Sequence, residues 1–220
     1  MRLEFDGSVV EIEKLVIAGW TGRDTAALNR RIEELKSIGV QPPSAVPLYY
    51  RFPVNLLTQA HSIEVLGDDT SGEAEPVLTG APNRLWVTVG SDHTDRKIES
   101  YSVAVAKQLC PKVIARNAWR FEEVEPHWDQ LVLRSFIQED GRDVLYQEGT
   151  LAAIRRPRDL IAGWRNGDGK LPPHAAMFCG TLPAIGAIRP SARFAMEIED
   201  PVLGRKLSHA YKTKVLPVVA

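Results

Sequence analysis

Glu73, Glu75 and Asp92 are the residues of this chain whose types and spacing suggest chemistry most directly. Side chains alternate faces along a strand, so in Glu73-Ala74-Glu75 the two carboxylates point the same way and Ala74 is opposed. Glu73 to Thr79 and Arg84 to Gly90 read as two strands joined through Gly80, Pro82 and Asn83, residues whose steric preferences favour turns. An antiparallel hairpin folded there returns Asp92 beside Glu73 at its open end. Carboxylates packed that closely repel and raise one another's pKa, and a cation is the simplest partner that holds them ionised. With oxygen ligands and no nearby cysteine, the matching ion is magnesium, manganese or calcium. The competing reading is a solvated strand edge carrying two glutamates, because E-x-E spacing by itself is common.

Those carboxylates need a scaffold, and the rest of the chain reads as mostly strand. Leu3 to Phe5, Val9 to Ile12 and Lys14 to Gly19 come first, the last an apolar run that needs burial on both faces. Asp24 then precedes a helical pattern with Leu28, Ile32 and Leu35 on one face and a stop at Gly39, so Asp24 reads first as an N-cap. Ala45 to Phe52 and His61 to Leu66 follow as strands, and Gly67 to Gly72 as a turn in which Asp68 and Asp69 bond their own backbone. Ser102 to Lys107 alternates Ser-Val-Ala-Val-Ala-Lys and reads as a strand ending at Lys107. A lysine at the end of a buried strand requires an anionic partner, unless its ammonium reaches solvent. Leu131 to Ile137 and Val144 to Tyr146 flank the hairpin turn signal Glu139-Asp140-Gly141. Pro157 opens a short helix with Leu160, Ile161 and Trp164 on one face and Gly167 beyond its end. Ala175 to Thr181, Ala192 to Glu199 and Lys206 to Val215 complete a β-dominated α+β domain.

Composition narrows the function classes. In 220 residues, 44% hydrophobic and 25% charged, no linker-like stretch divides the chain, so one domain spanning 1–220 is expected, residues 1–40 packing on 45–220. A net charge of -1 supplies no footprint for nucleic acid or an anionic membrane, which leaves a small or neutral partner. Cys110 and Cys179 sit in no C-x-x-C pattern and read as buried free thiols. The charged N-terminal segment and the lack of a long apolar run predict a cytoplasmic location. The five histidines are scattered without paired-ligand spacing, which argues against zinc. His93, next to Asp92, faces away on an extended chain and reads as structural. G-x-G-x-x-G, G-x-x-x-x-G-K-S/T and G-x-S-x-G are all missing, which removes dinucleotide, P-loop and α/β-hydrolase readings.

The order of segments resembles the fumarylacetoacetate hydrolase superfamily, in particular one bacterial branch of it. Val46-Pro47-Leu48-Tyr49-Tyr50-Arg51-Phe52-Pro53 is similar to that family's P-L-F-F-x-K-P, with Arg51 where lysine is usual. Glu73-Ala74-Glu75 resembles its E-x-E, and Thr88 to Thr94 its T-V-A-N-D-V-S. Tyr146 to Thr150, Cys179 to Gly186 and the final strands around Met196 to Tyr211 resemble three later motifs. The resemblance implies a mixed β-roll, Mg²⁺ or Mn²⁺ on Glu73, Glu75 and Asp92, and a homodimer. It implies Lys107 as the active-site lysine that stabilises enolate charge, and Thr181 as a hydrogen-bonding partner of the substrate. It also implies Arg51, Tyr49 and Gln147 as substrate-binding residues.

The family's hydrolases carry a His and a Glu three residues apart that activate water. Here Glu34 resembles the glutamate, but Arg31 stands where the histidine belongs. Alternatively the loop Thr21-Gly22-Arg23-Asp24 fills that space, Arg23 pairing with a substrate carboxylate and Asp24 transferring protons. The expected function is a metal-dependent enzyme for a 2-oxoacid or acylpyruvate-type substrate, acting as a C–C hydrolase, decarboxylase, isomerase or dehydratase. The alternative is a non-catalytic metal- or small-acid-binding protein that kept the fold and lost the dyad.

Overall fold

Strands dominate because β-branched and aromatic residues fall in short runs between Gly-, Pro- and Asp-rich turns. The computed structural model describes residues 1–37, 41–165 and 169–219. The Gly39 helix stop, Gly167 and the Arg31 side chain lie outside the described residues.

An eight-stranded mixed sheet carries the order Leu48–Phe52, Lys14–Gly19, Ala175–Phe178, Ala74–Ala81, Arg84–Asp92, Lys112–Ile114 and Leu57–Thr58, with Trp119–Arg120 also paired to Arg84–Asp92. A five-stranded sheet runs Arg142–Thr150, Val132–Glu139, Arg193–Asp200, Arg205–Leu216 and Ser62–Leu66. Between the two sheets lies the larger core, including Leu78, Val87, Val89, Leu133, Ile137, Met196 and Ile198. A smaller core covers the other face of the eight-stranded sheet, where Leu3, Phe5, Val10 and Ile12 of the N-terminal hairpin meet Phe52, Val77, Ile114 and Phe178. The stretch 15–18 inside Lys14–Gly19 is apolar throughout for this reason. Leu15 and Ile17 enter the smaller core, Val16 and Ala18 the larger.

The site hairpin is longer than its sequence pattern indicated. It spans Ala74–Ala81 and Arg84–Asp92 around a two-residue turn, Pro82-Asn83, and Gly80 lies inside the first strand. A Cβ at Gly80 would sit 2.2 Å from the Pro172 carbonyl oxygen, so close backbone approach and not turning explains that glycine. The second hairpin turns at Asp140 and Gly141, both at positive φ, as the Glu139-Asp140-Gly141 signal implies.

Ser102 to Lys107 is a correction: it is not a strand. Val103–Gln108 is an α-helix, and the Ser102 hydroxyl caps it by accepting from the Val105 amide. Alternating valine and alanine suits either element. The serine cap and a single buried stripe, Ala106 and Lys107, decide for the helix. Cys110 and Cys179 are buried free thiols. Among the described residues no helix is long and apolar enough to cross a membrane.

Candidate metal centre

Strand register brings the carboxylates together. Glu75 pairs with Gly90, Lys112 with Asp92, and the Asp92 amide donates to the Glu73 carbonyl at 2.9 Å. Alternation then sends Glu75, Asp92 and Lys112 to the face shared with Val77 and Ile114, away from the five-stranded sheet. One oxygen from each of Glu73, Glu75 and Asp92 lies within 4.8 Å of the other two. Glu75 and Asp92 are buried, and Glu73 is half-buried.

Three cations and one backbone amide orient them. Arg96 reaches Glu73 Oε1 at 3.0 Å and is itself fixed by Ser71 Oγ at 2.7 Å and Glu99 at 3.0 Å. Lys107 Nζ donates to Glu73 Oε2 at 2.9 Å and also bonds Asp92 Oδ2. Lys112 is fully buried, with Nζ 2.6 Å from the His93 carbonyl oxygen, 2.7 Å from Asp92 Oδ1 and over the Phe52 ring. The Gly180 amide donates to Glu75 Oε2 at 2.7 Å. Gly180 sits at φ +100°, and a Cβ there would lie 1.8 Å from Thr21 Oγ1, so the amide reaches Glu75 only from a glycine.

The electrostatics split the carboxylates. Burial pushes the Glu73 carboxyl up, but Lys107 and Arg96 outweigh it and hold it down at about 2. Burial, reinforced by Asp92, pushes Glu75 well above the usual carboxylate range. Burial opposes the Lys107 charge, yet Asp92, Glu73 and Glu75 together raise its pKa. Lys112 is lowered, because burial exceeds what Asp92 returns.

Behind Asp92, His93 is buried and bridges Tyr211 Oη at 2.8 Å and Thr70 Oγ1 at 2.9 Å. Burial, with Lys112 and Arg96 nearby, lowers its pKa to about 3, so it is a neutral strut, in keeping with its reading as structural.

Several expected site residues are used elsewhere. The Arg23 guanidinium makes a two-point pair with Asp129 at 2.8 and 2.9 Å and also donates to the Ile154 carbonyl. Asp24 is exposed and caps the Thr25–Ser37 helix, accepting from the Ala27 amide at 3.0 Å. Glu34 is exposed on that helix. Tyr49 and Arg51 lie on the face opposite Tyr50 and Phe52: Tyr49 Oη donates to the Leu160 carbonyl and Arg51 is exposed. Gln147 spends its whole amide on the scaffold, accepting from Ala74 N and Ser135 Oγ and donating to Thr181 Oγ1 and the Leu182 carbonyl. The Thr181 hydroxyl donates its proton to the Ala74 carbonyl at 2.7 Å. Gln147 and Thr181 therefore hold the E-x-E strand in place and offer a substrate no proton from either side chain.

Sequence reasoning missed Arg96, Lys112, Gly180 and Tyr50. Lys112 opens a short strand directly after Pro111, a signal for a lysine fixed by backbone pairing. Tyr50 is one residue from Tyr49 and on the other face. Burial raises its pKa, against the opposing effects of the Trp20 side chain and Lys107. No sequence signal points to Arg96 beyond its place four residues after Asp92.

The donor set fits a hard divalent cation. Mg²⁺ and Mn²⁺ favour oxygen ligands, Mg²⁺ at about 2.0–2.1 Å, and three carboxylates of this spacing supply one side of such a shell. Asp92 Oδ1 is buried without a directed hydrogen bond, since Lys112 approaches it by distance only, and an ion would satisfy it.

Comparison with known proteins agrees with this architecture. A family profile described as "Protein of unknown function (DUF2848)" matches residues 18–211, and the chain belongs to that family. No curated protein matches the chain. Among solved structures, it is similar to a protein classed as a fumarylacetoacetate isomerase/hydrolase from Oleispira antarctica, at TM-score 0.68 and 14% identity over 97% of this chain and 100% of that one. A protein classed as a fumarylpyruvate hydrolase from Burkholderia cenocepacia gives 0.65 and 16% over 98% and 95%. A 2-keto-3-deoxy-D-arabinonate dehydratase complexed with magnesium and 2,5-dioxopentanoate gives 0.65 and 14% over 94% and 75%. The chain thus has the fold of fumarylacetoacetate hydrolase proteins, as its motif order implies.

Proposed function

For this member of the DUF2848 family, we propose a divalent-metal-dependent enzyme that acts on a 2-oxoacid or acylpyruvate-type substrate, with Mg²⁺ or Mn²⁺ held by Glu73, Glu75 and Asp92. The observation that carries this reading is the convergence of three carboxylate oxygens within 4.8 Å on one sheet face. The magnesium complex of a dehydratase with the same fold supports the choice of ion and of an oxo-acid ligand. When bound, the ion would act as a Lewis acid toward a chelated 2-oxo group, easing loss of a proton from the neighbouring carbon.

The chain's own residues supply the rest. Lys112 places a fixed positive charge beside the carboxylates, and Lys107 brings a second cation to the site for negative charge that develops on the substrate. Tyr50, on the sheet face shared with Phe52, keeps its proton because burial raises its pKa, and supplies a donor for a substrate oxygen. Arg23 and Asp24 are committed to Asp129 and to the helix cap, so neither takes the place of a water-activating base. That weakens C–C hydrolysis, where a base that activates water typically contributes about 10²- to 10⁴-fold, and leaves decarboxylation, which reaches the enolate by losing CO₂ with no base, the least affected.

The test is proton exchange at C3 of a panel of 2-oxo acids in D₂O, followed by NMR with and without Mg²⁺. Exchange should require the metal and fall by at least about 10²-fold in Glu75→Gln. Metal binding without exchange or turnover of any panel member would replace this reading with a small-acid-binding protein, which the missing dyad also favours.

A further inference from the structure

The three cations around the carboxylates are not equivalent, and an inference that rests on the metal reading follows from the difference. Arg96 is anchored outside the carboxylate set, to Ser71 and Glu99. Lys112 is anchored by the His93 carbonyl and the Phe52 ring and has no exposed surface. Lys107 differs: among the described residues its Nζ hydrogen bonds go only to Glu73 and Asp92, two of the three candidate ligands. It sits on the six-residue helix Val103–Gln108, and its side chain keeps 9% exposure where that of Lys112 has none.

We infer that Lys107 is a built-in competitor of the divalent cation, its ammonium bonding two of the three carboxylates, Glu73 and Asp92, that would hold the metal. Glu73 and Asp92 already have Arg96, Lys107 and Lys112 as cationic partners without an ion. An ion held by Glu73, Glu75 and Asp92 would share two of its carboxylates with the ammonium, and like charges brought that close repel strongly. Metal therefore enters as the Lys107 ammonium leaves. The displaced ammonium, still tethered beside the site, becomes a donor for an anionic ligand.

The experiment is calorimetric titration of the metal-free protein with Mn²⁺. Removing one opposing charge within contact distance changes such an equilibrium by about tenfold or more, so Lys107→Met should bind Mn²⁺ at least tenfold tighter than wild type. Lys107→Gln, which keeps a polar head, should move the same way, and the exposed Lys97→Met should change affinity less than twofold. In wild type labelled at lysine Nζ, the Lys107 NMR signal should shift on saturation with Mg²⁺, a readout that needs no variant to fold. Wild-type binding that is unchanged or weaker in both Lys107 variants overturns the inference and leaves the metal site standing. Binding by a variant where wild type shows none supports it in its strongest form. If neither wild type nor any variant binds a divalent ion, the metal reading falls with it.

Discussion

Glu197 and Glu199 repeat the spacing of Glu73 and Glu75 on another strand, and the two regions part ways completely. Glu197 and Glu199 lie on the outer face of the five-stranded sheet, where with Glu148 they surround Arg134 and Lys206. Each of these five side chains keeps solvent access, from 15% for Glu197 to 47% for Lys206. Around Asp92 three carboxylates again meet cations, but Asp92 and Lys112 are fully buried and Lys107 nearly so. Identical residue types and spacing thus give a solvated ion network in one place and a desolvated cluster in the other. Water screens the outer network and makes each member replaceable, whereas burial makes every inner charge depend on its partner.

That contrast can be broken by mutation. Asp92→Ala strands Lys107 and Lys112 without their shared anion, and breaking a buried pair costs about 3–5 kcal/mol. Urea unfolding should show a loss of that size. A loss no larger than that of an outer-network variant would mean that the buried cluster is relaxed by water.

A second measurement sharpens the comparison through pH. His93 is held neutral, its pKa depressed from 6.5 to about 3, by burial first and then by Lys112 and Arg96. The unfolded chain takes up a proton at this residue below about pH 6.5 that the folded chain refuses until about pH 3. Stability should therefore fall with acidification, by up to about 1.4 kcal/mol per pH unit in that window. Urea melts between pH 6.5 and 5 should show this slope in wild type and a clearly shallower one in His93→Gln. Equal slopes would assign the proton to another group. The smallest effect belongs to the outer network, where Glu199→Gln should leave the urea midpoint within the scatter of repeat melts.

The site was legible in part because some of its causes are local. Turn sterics at Pro82-Asn83 and alternation along two strands return Asp92 to Glu73 and Glu75, and both are properties of adjacent residues. Asp24 reads as a cap for the same reason, its carboxylate bonding an amide three residues on. Tyr49 was assigned to the site and Tyr50 overlooked because a matched segment does not say which face of its strand meets the site. Lys107 was expected at a strand end and arrives from a helix, since valine–alanine alternation does not separate the two periods over six residues.

The sequence by itself determined the β-dominated fold, the hairpins and the nearness of the three carboxylates, all of which follow from short-range sterics and side-chain periodicity. Only the tertiary structure decided which Glu-x-Glu pair is buried, which cations meet it and which arginine is spent. Arg23 is taken by Asp129, 106 residues away, and the Gly180 amide reaches Glu75 across 105 residues. Groups separated that far along the chain meet through strand pairing within the eight-stranded sheet and the loops and helices laid against it, and burial on that face turns a common spacing into a candidate metal centre.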